Sequence, residues 1–514
     1  MLSASSLLPL AQQFGHQTPE FHPSMPIKHC TKALGCKAEQ TKATIDSNWR
    51  WTHKTGTTDN CYTGNEWNTT FCPADDSKTC TQNCALDGVD ETTWHCTYGI
   101  DWDESVGMMN FSFVTQGPYS RNVGGRTYLM EDDDNYKMFK LLDQEFTFTV
   151  SAGGLPCGLN GAVYFVEMEK DGGKSSFSTN EAGAKLGTGY CDAQCPHDLK
   201  WINGEANMIG WVPSKTDMNA GTGKYGTCCA ELDIWEANKI STQMTVHGCK
   251  EVTDPSIPGV GTSRQRCEGI TCGDNSAHQR FNGTCDKDGC DINPYRVGEH
   301  DFYGPGPSFQ IDSTKEVTVV TQFPTNPDGT LKEMIRFYVQ DGKRIDEPLP
   351  SYSAQCTGSN CSSITNEMCD VQKKLFGDVN DFEAKGGIAK MGEAMGRGMA
   401  LVMSMWDDHD VNMLWLDSTY PVPDPPGSTP KPGAPRGSCD VTSGDPKDIE
   451  SNEPHSYVVY KDIRYGEIGS TLADPLTPPS PPKAPTQCPH PSTYGEGLAK
   501  AKAAQQMLLA NAAA

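Results

Sequence analysis

The chain has 514 residues, a formal net charge of -24 and 22 cysteines. Such an excess of acid repels nucleic acid and anionic membranes, so neither is expected as a partner, while a neutral polymer is indifferent to it. No stretch approaches the roughly 20 apolar residues needed to span a bilayer, and so many dispersed cysteines read as a disulfide framework built in an oxidising compartment, which predicts a secreted, extracellular protein.

In chain order, residues 1–28 read as an N-terminal segment. Leu7, Leu8, Pro9 and Leu10 ahead of Ala11 make a short leader-like core without a basic flank. Residues 29–470 read as one body, β-rich from Thr44 onward. The alternating runs Phe146–Val150, Ala162–Val166, Val317–Thr321 and Ile335–Val339 predict strands, each bounded by Gly, Asn, Asp or Pro. Long loops rich in Gly, Cys and Pro lie between them, where binding and catalysis are usually carried. A helix is predicted over Asp381 to Gly396, with Phe382, Ile388, Met391 and Met395 on one side. Residues 471–514 read as a Pro-rich linker, densest from Pro475 to Pro491, followed by an Ala-rich tail too poor in apolar surface for a core. Sequons stand at Asn68, Asn110, Asn282 and Asn360.

The densest chemistry lies in Cys228-Cys229-Ala230-Glu231-Leu232-Asp233-Ile234-Trp235-Glu236-Ala237-Asn238. Clustered carboxylates raise one another's proton affinity and gain nothing structurally unless they share a proton or a substrate. An exposed acidic turn is the plain alternative, but the interleaved Leu232, Ile234 and Trp235 fit a half-buried strand instead. On a regular strand Glu231 and Asp233 share a face and Glu236 points away; a bulge between Asp233 and Glu236 would restore parity. Calcium would need six to eight oxygens in a hydrophilic loop. Zinc at Cys191, Cys195, Cys228 and Cys229 is disfavoured because adjacent side chains on an extended chain diverge. No metal and no cofactor are therefore expected.

Two carboxyl groups roughly 5 to 5.5 Å apart across a glycosidic bond permit double displacement with retention. The aromatic supply suits sugar rings, since Trp49-Arg50-Trp51 and the pair Trp406 and Trp415 mix indole with polar residues too densely for a simple buried face.

Over about Ser47 to Ser470 the chain resembles glycoside hydrolase family 7, the cellobiohydrolases and endoglucanases of cellulose. The residues that carry the resemblance are Glu231–Asn238, Leu155–Ala162, Gly187–Asp192 and Met403–Asp408. The resemblance implies an all-β jelly-roll sandwich of two curved antiparallel sheets, with a substrate groove or tunnel on the concave face and a few short helices. It implies Glu231 as nucleophile, Glu236 as general acid/base, Asp233 supporting the nucleophile and His247 near the acid/base. Sugar platforms carry over to Trp51 at the entrance, Trp49 in the middle, and Trp406 and Trp415 toward the catalytic and product sites. Polar contacts carry over to Asn160, Tyr164, Asp192, Gln194, Lys200 and Asp408, and around the product end to Arg280, Asp288, Asp291, Arg296, Tyr420 and Arg436.

The resemblance also implies the pairings Cys30–Cys36, Cys61–Cys84, Cys72–Cys80, Cys157–Cys439, Cys191–Cys229, Cys195–Cys228, Cys249–Cys285, Cys267–Cys272 and Cys290–Cys369. Cys356 and Cys361 look like an added local bridge. Cys96 and Cys488 lack family partners and could pair together, pair between chains or stay free. The tail, with Cys488 alone, cannot form the cysteine-rich cellulose-binding module that often follows such a linker. The long segments Ser176–Tyr190, Cys249–Cys285 and Lys343–Cys369 favour a roofed groove, and so a monomeric cellobiohydrolase releasing cellobiose from reducing ends of cellulose or another β-1,4-glucan. The alternatives are an open-groove endo-β-1,4-glucanase and, from another class, a cellulose-binding lectin without turnover.

Overall fold

In the computed structural model the described residues are 13–117, 120–274, 279–357, 361–477 and Cys488. Two large sheets dominate. Numbered in chain order, their principal strands are β1 (Ile27–Thr31), β2 (Gly35–Glu39), β3 (Lys42–Ile45), β4 (Gly125–Asp132), β5 (Gln144–Ser151), β6 (Leu159–Val166), β7 (Glu231–Ala237), β8 (Thr242–His247), β9 (Cys290–Ile292), β10 (Val317–Gln322), β11 (Ile335–Gln340), β12 (Lys343–Asp346), β13 (Met399–Asp407) and β14 (Tyr457–Glu467). One sheet runs β4-β13-β6-β7-β8-β9, with β3 on β4; the other runs β2-β1-β14-β5-β10-β11-β12. Pairing is antiparallel apart from β1 beside β14.

Alternation along the strands explains the packing. Phe146, Phe148 and Val150 of β5 meet Leu159, Val163 and Phe165 of β6 and Leu232, Ile234 and Trp235 of β7 in one core between the sheets. The opposite parity of β6 and β13 (Ala162, Tyr164, Val166, Ala400 and Val402) joins Tyr128 and Tyr190 in a second cluster on the outer face. Every residue of β6 and β7 is therefore buried, because loops cover the face that the second sheet does not.

All nine family-implied disulfides form, as do Cys356–Cys361 and Cys96–Cys488. No cysteine is free, so none is available as a zinc thiolate. Cys157–Cys439 closes a span of 282 residues, which on the loop-entropy model stabilises the fold by about 5 kcal/mol.

The four strand runs expected from alternation all lie inside strands, each of them longer than the run. The single helix expected over Asp381 to Gly396 is two, Asp381–Ala384 and Gly387–Arg397. Gly386 and Gly387 take φ values of 100° and 57° between them, left-handed geometry that ends one helix and cannot continue it. A helix over Asn366–Phe376, capped by Thr365 and stopped at Gly377, was not anticipated. The Asn110 sequon is corrected as a surface site: Asn110 lies in a strand, 8% exposed. Asn68 and Asn282 are exposed, while the Asn360 sequon, the leader-like core and the Ala-rich tail lie outside the described residues.

The segment ahead of β1 is seated on the body. Glu20 accepts two hydrogen bonds from the buried Arg50 guanidinium, at 2.7 and 2.9 Å. At the other end, Arg464 donates to the backbone carbonyls of Thr471, Asp474 and Pro475. No helix among the described residues is long and apolar enough to cross a membrane.

Candidate active site

The acidic strand β7 carries the expected irregularity. Against β8, Glu231 faces His247, Asp233 faces Thr245 and Glu236 faces Gln243, with the register shifting between Asp233 and Glu236. Against β6 the shift falls between Val163, opposite Trp235, and Tyr164, opposite Asp233. Ile234 and Trp235 both enter the core, and the extra residue brings Glu236 back to the face of Glu231 and Asp233. The partners on β8, at positions 243, 245 and 247, share one parity.

Glu231 accepts a hydrogen bond from the Ala193 N–H at 3.0 Å. Burial, then the charges of Asp233 and Asp192, hold its carboxyl well above the usual range. Asp233 is likewise raised by burial and by Glu236 and Asp192, with a hydrogen bond involving Glu231 opposing. Asp192 is raised by burial as well. Four carboxyl groups in one water-poor site cannot all be ionised, so protons are shared among them.

His247 Nδ1 lies 2.8 Å from the Asp286 carbonyl oxygen. A carbonyl only accepts, so Nδ1 carries hydrogen and Nε2 is turned to Asp233 Oδ2 at 3.3 Å. Whichever of the two holds it, a proton sits between imidazole and carboxylate. Glu236 is held differently: Asn160 Nδ2 donates to Oε1 and Gln243 Nε2 to Oε2, each at 2.9 Å. Asn160 is fixed in that orientation because its Oδ1 accepts from the Ala237 N–H. Burial raises Glu236, and the Gln243 and Asn160 amides pull it back.

The remaining expected residues fall into groups. Tyr164 and Tyr190 share a hydroxyl hydrogen bond at 2.9 Å, and Tyr190 donates to Asp192 at 2.7 Å, which links them to the Glu231 end. Trp406 and Trp415 stack at 6.1 Å and 29°. Asp408 accepts from Trp415 Nε1 and from the Asp410, Val411 and Met413 N–H groups; its oxygens are spent on orienting that platform. Trp49 and Trp51 are half-buried. The Arg126 guanidinium lies 5.3 Å from the Trp49 ring and 3.4 Å from that of Tyr190, while Trp51 donates to Asn60 and stacks on His53. Lys200 donates to the Arg50 carbonyl oxygen at 2.9 Å, and burial lowers its pKa to about 8.

At the far end, Arg280 pairs with Asp288, and exposed Gln194 donates to the Lys287 carbonyl at 2.8 Å, tying the loop of Ala193 to that segment. Arg296 is held by Asp291 and Asp378. Arg436 stands 3.7 Å from Asp291, its own pKa lowered to about 10 by burial and then by Arg296. Tyr420, half-buried, is anchored through its backbone N–H to Ala434.

Sequence reasoning missed Gln243, Tyr190, Arg126 and the Ala193 N–H. The position of Gln243 was readable from parity, two and four residues before Thr245 and His247 on one strand. Nothing in the chain's one-dimensional pattern signals a backbone N–H aimed at a carboxylate.

The family model for glycosyl hydrolase family 7 matches residues 14–472. An exoglucanase, GH7B of Limnoria quadripunctata, is 51% identical over 459 residues, covering 89% of this chain and 96% of the relative. The crystal structure of a cellobiohydrolase from Daphnia pulex superposes with a TM-score of 0.83 at 50% identity, over 90% of this chain and 100% of that one. A Melanocarpus albomyces cellobiohydrolase complexed with cellotetraose gives 0.79 at 41%, over 89% and 99%. With a matching sandwich, a matching family model and this degree of identity along nearly its whole length, the chain belongs to glycosyl hydrolase family 7.

Proposed function

We propose that the protein is a secreted cellobiohydrolase that cleaves β-1,4-glucosidic bonds of cellulose with retention, releasing cellobiose from reducing chain ends. The observation that carries this reading is the bulge of β7, which gathers Glu231, Asp233 and Glu236 on one buried face, near the stacked indoles of Trp406 and Trp415. A cellulose-binding lectin has no use for such an arrangement.

Glu231 attacks the anomeric carbon as the C–O bond breaks, and Glu236 gives its proton to the departing oxygen. A water then donates its proton to Glu236 and its oxygen to the same carbon, freeing Glu231. The proton shared between Asp233 and His247 lets Glu231 carry the negative charge at the moment of attack. The family relatives are named exoglucanase and cellobiohydrolase, and the length of the disulfide-stapled segment between Cys249 and Cys285 supports a roofed groove in this reading. Early products from microcrystalline cellulose, read by NMR, should be dominated by cellobiose in its β-anomer, with carboxymethylcellulose losing viscosity slowly. An α-anomer would overturn the mechanism; rapid viscosity loss would make the enzyme endo-acting.

Gln243 tunes the acid/base in this reading. Its amide favours ionised Glu236, while its own buried Oε1 has no partner. Replacing Gln243 with Met removes one donor to the anion, worth about one pH unit. The proton is then held more tightly, so the alkaline limb of the kcat/KM profile is expected to move up by about that amount. A purely structural Gln would lower the profile without moving the limb.

A further inference from the structure

Register fixes which loops meet above the groove. The Asp407 end of β13 lies beside the Leu159 end of β6, whereas Val166, at the other end of β6, faces Glu231 of β7. Residues 408–413 therefore leave one end of these strands, and the connection containing Asp217 runs between β6 and β7 at the opposite end. The inner face of this sheet is filled by the hydrophobic core and the carboxylates and Trp406 lie on the other, the face over which two loops from opposite strand ends can reach each other.

They meet at His409. Its Nε2 lies 4.0 Å from Asp217 Oδ2, 3.8 Å from Asp407 Oδ2 and 3.7 Å from Glu450 Oε1. Asp217 belongs to the loop that crosses the face, anchored through the Asp217 carbonyl to Asn65 Nδ2 at 3.1 Å. Asp407 ends β13, and Glu450 lies on the helix Pro446–Asn452. Arg121 faces Glu450 from the outside at 2.5 Å. Asp410 is exposed, and Asp408 is occupied by backbone N–H groups and Trp415. Asp407 Oδ2 and His409 Nδ1 are buried without a hydrogen-bond partner.

We propose that His409, when protonated, pins the loop of Asp217 to the end of β13, and so sets how long the protein keeps a threaded cellulose chain. The inference rests on the cellobiohydrolase reading and adds to it a residue that governs retention without touching the reacting atoms. As imidazolium, His409 attracts the ionised Asp217 and Glu450 and so draws their segments toward the end of β13. Burial pushes Asp407 up to about 7, so in mild acid Asp407 holds a proton as well, and His409 and Arg121 balance Asp217 and Glu450. Once both protons leave, Asp217, Asp407 and Glu450 are all ionised, Arg121 pairs with Glu450, and repulsion among the carboxylates drives the loops apart. A chain held under a closed roof leaves only by sliding along the groove; an open roof releases it sideways.

The test follows labelled protein leaving microcrystalline cellulose after dilution, at about pH 5 and about pH 8, with turnover of 4-nitrophenyl β-cellobioside measured in parallel. The unmodified protein should leave severalfold faster at the higher pH. His409→Arg keeps a cation at both values, so release should stay slow at both; His409→Phe should be fast at both. Asp217→Asn should speed release at the lower pH. Turnover of the small substrate should change little in any of them, because it needs no roof. A His409→Arg protein that leaves cellulose with the same pH dependence as the unmodified one would overturn the pin and leave the hydrolase reading intact. An unmodified protein that cannot cleave the small substrate would overturn the hydrolase reading, and the pin with it.

Discussion

Glu231→Gln is expected to lower cellulose turnover by roughly 10,000-fold or more, the scale on which removal of a covalent nucleophile is felt. An amide matches the carboxylate in size but cannot form a stable ester with the anomeric carbon, so the loss falls on kcat and leaves cellulose affinity nearly unchanged. The fold should tolerate the change. Glu231 is raised well above the usual carboxylate range by burial and by Asp233 and Asp192, so removing its charge relieves repulsion rather than leaving a partner bare. The measurement pairs soluble-sugar release with binding to the same cellulose and with thermal unfolding. Turnover within tenfold of the unmodified enzyme would remove the double-displacement mechanism; loss of folding alone would show up in the unfolding trace.

Glu236→Gln should behave differently with the leaving group. On cellulose, whose departing alcohol needs a proton, the loss is expected at roughly 100- to 10,000-fold, the range of general acid catalysis. With an aryl cellobioside whose phenol is already a good leaving group, cleavage of the first bond needs no proton and should keep most of its rate, so formation of the cellobiosyl–enzyme outruns its hydrolysis. A burst of phenol followed by slow steady turnover is the expected trace. The alkaline limb of the pH profile, which reports the acid in the free enzyme, should also disappear. Equal losses on both substrates would place the proton donor elsewhere in the carboxyl cluster. Because Asn160 and Gln243 each donate to one oxygen of Glu236, replacing it with Gln leaves one of these amides facing another amide donor, and a small stability loss is expected as well.

The acidic strand was legible in outline because its information is local. Glu231 and Asp233 alternate with apolar residues, and the odd spacing to Glu236 demanded a bulge, which the register supplies. Tryptophans among charged residues pointed to sugar platforms for a similar reason. Asp408 was less well read. Its sequence position beside Trp406 suggested a substrate contact, but the loop turns its carboxylate onto three backbone N–H groups and the Trp415 indole. The break at Gly386 and Gly387 within the expected helix was also hidden by its apolar periodicity.

By itself the sequence determined that the cysteines form a disulfide framework, the strand periods, the acid cluster and the family to which they belong. These depend on residue type and near spacing, which a single dimension preserves. Tertiary structure decided the partners of those groups: Gln243 on Glu236, Ala193 on Glu231, His247 on Asp233 and His409 among Asp217, Asp407 and Glu450. Each joins segments whose approach is set by sheet register and loop course, and proton affinity in a buried site depends on distances of a few ångströms that no local pattern encodes.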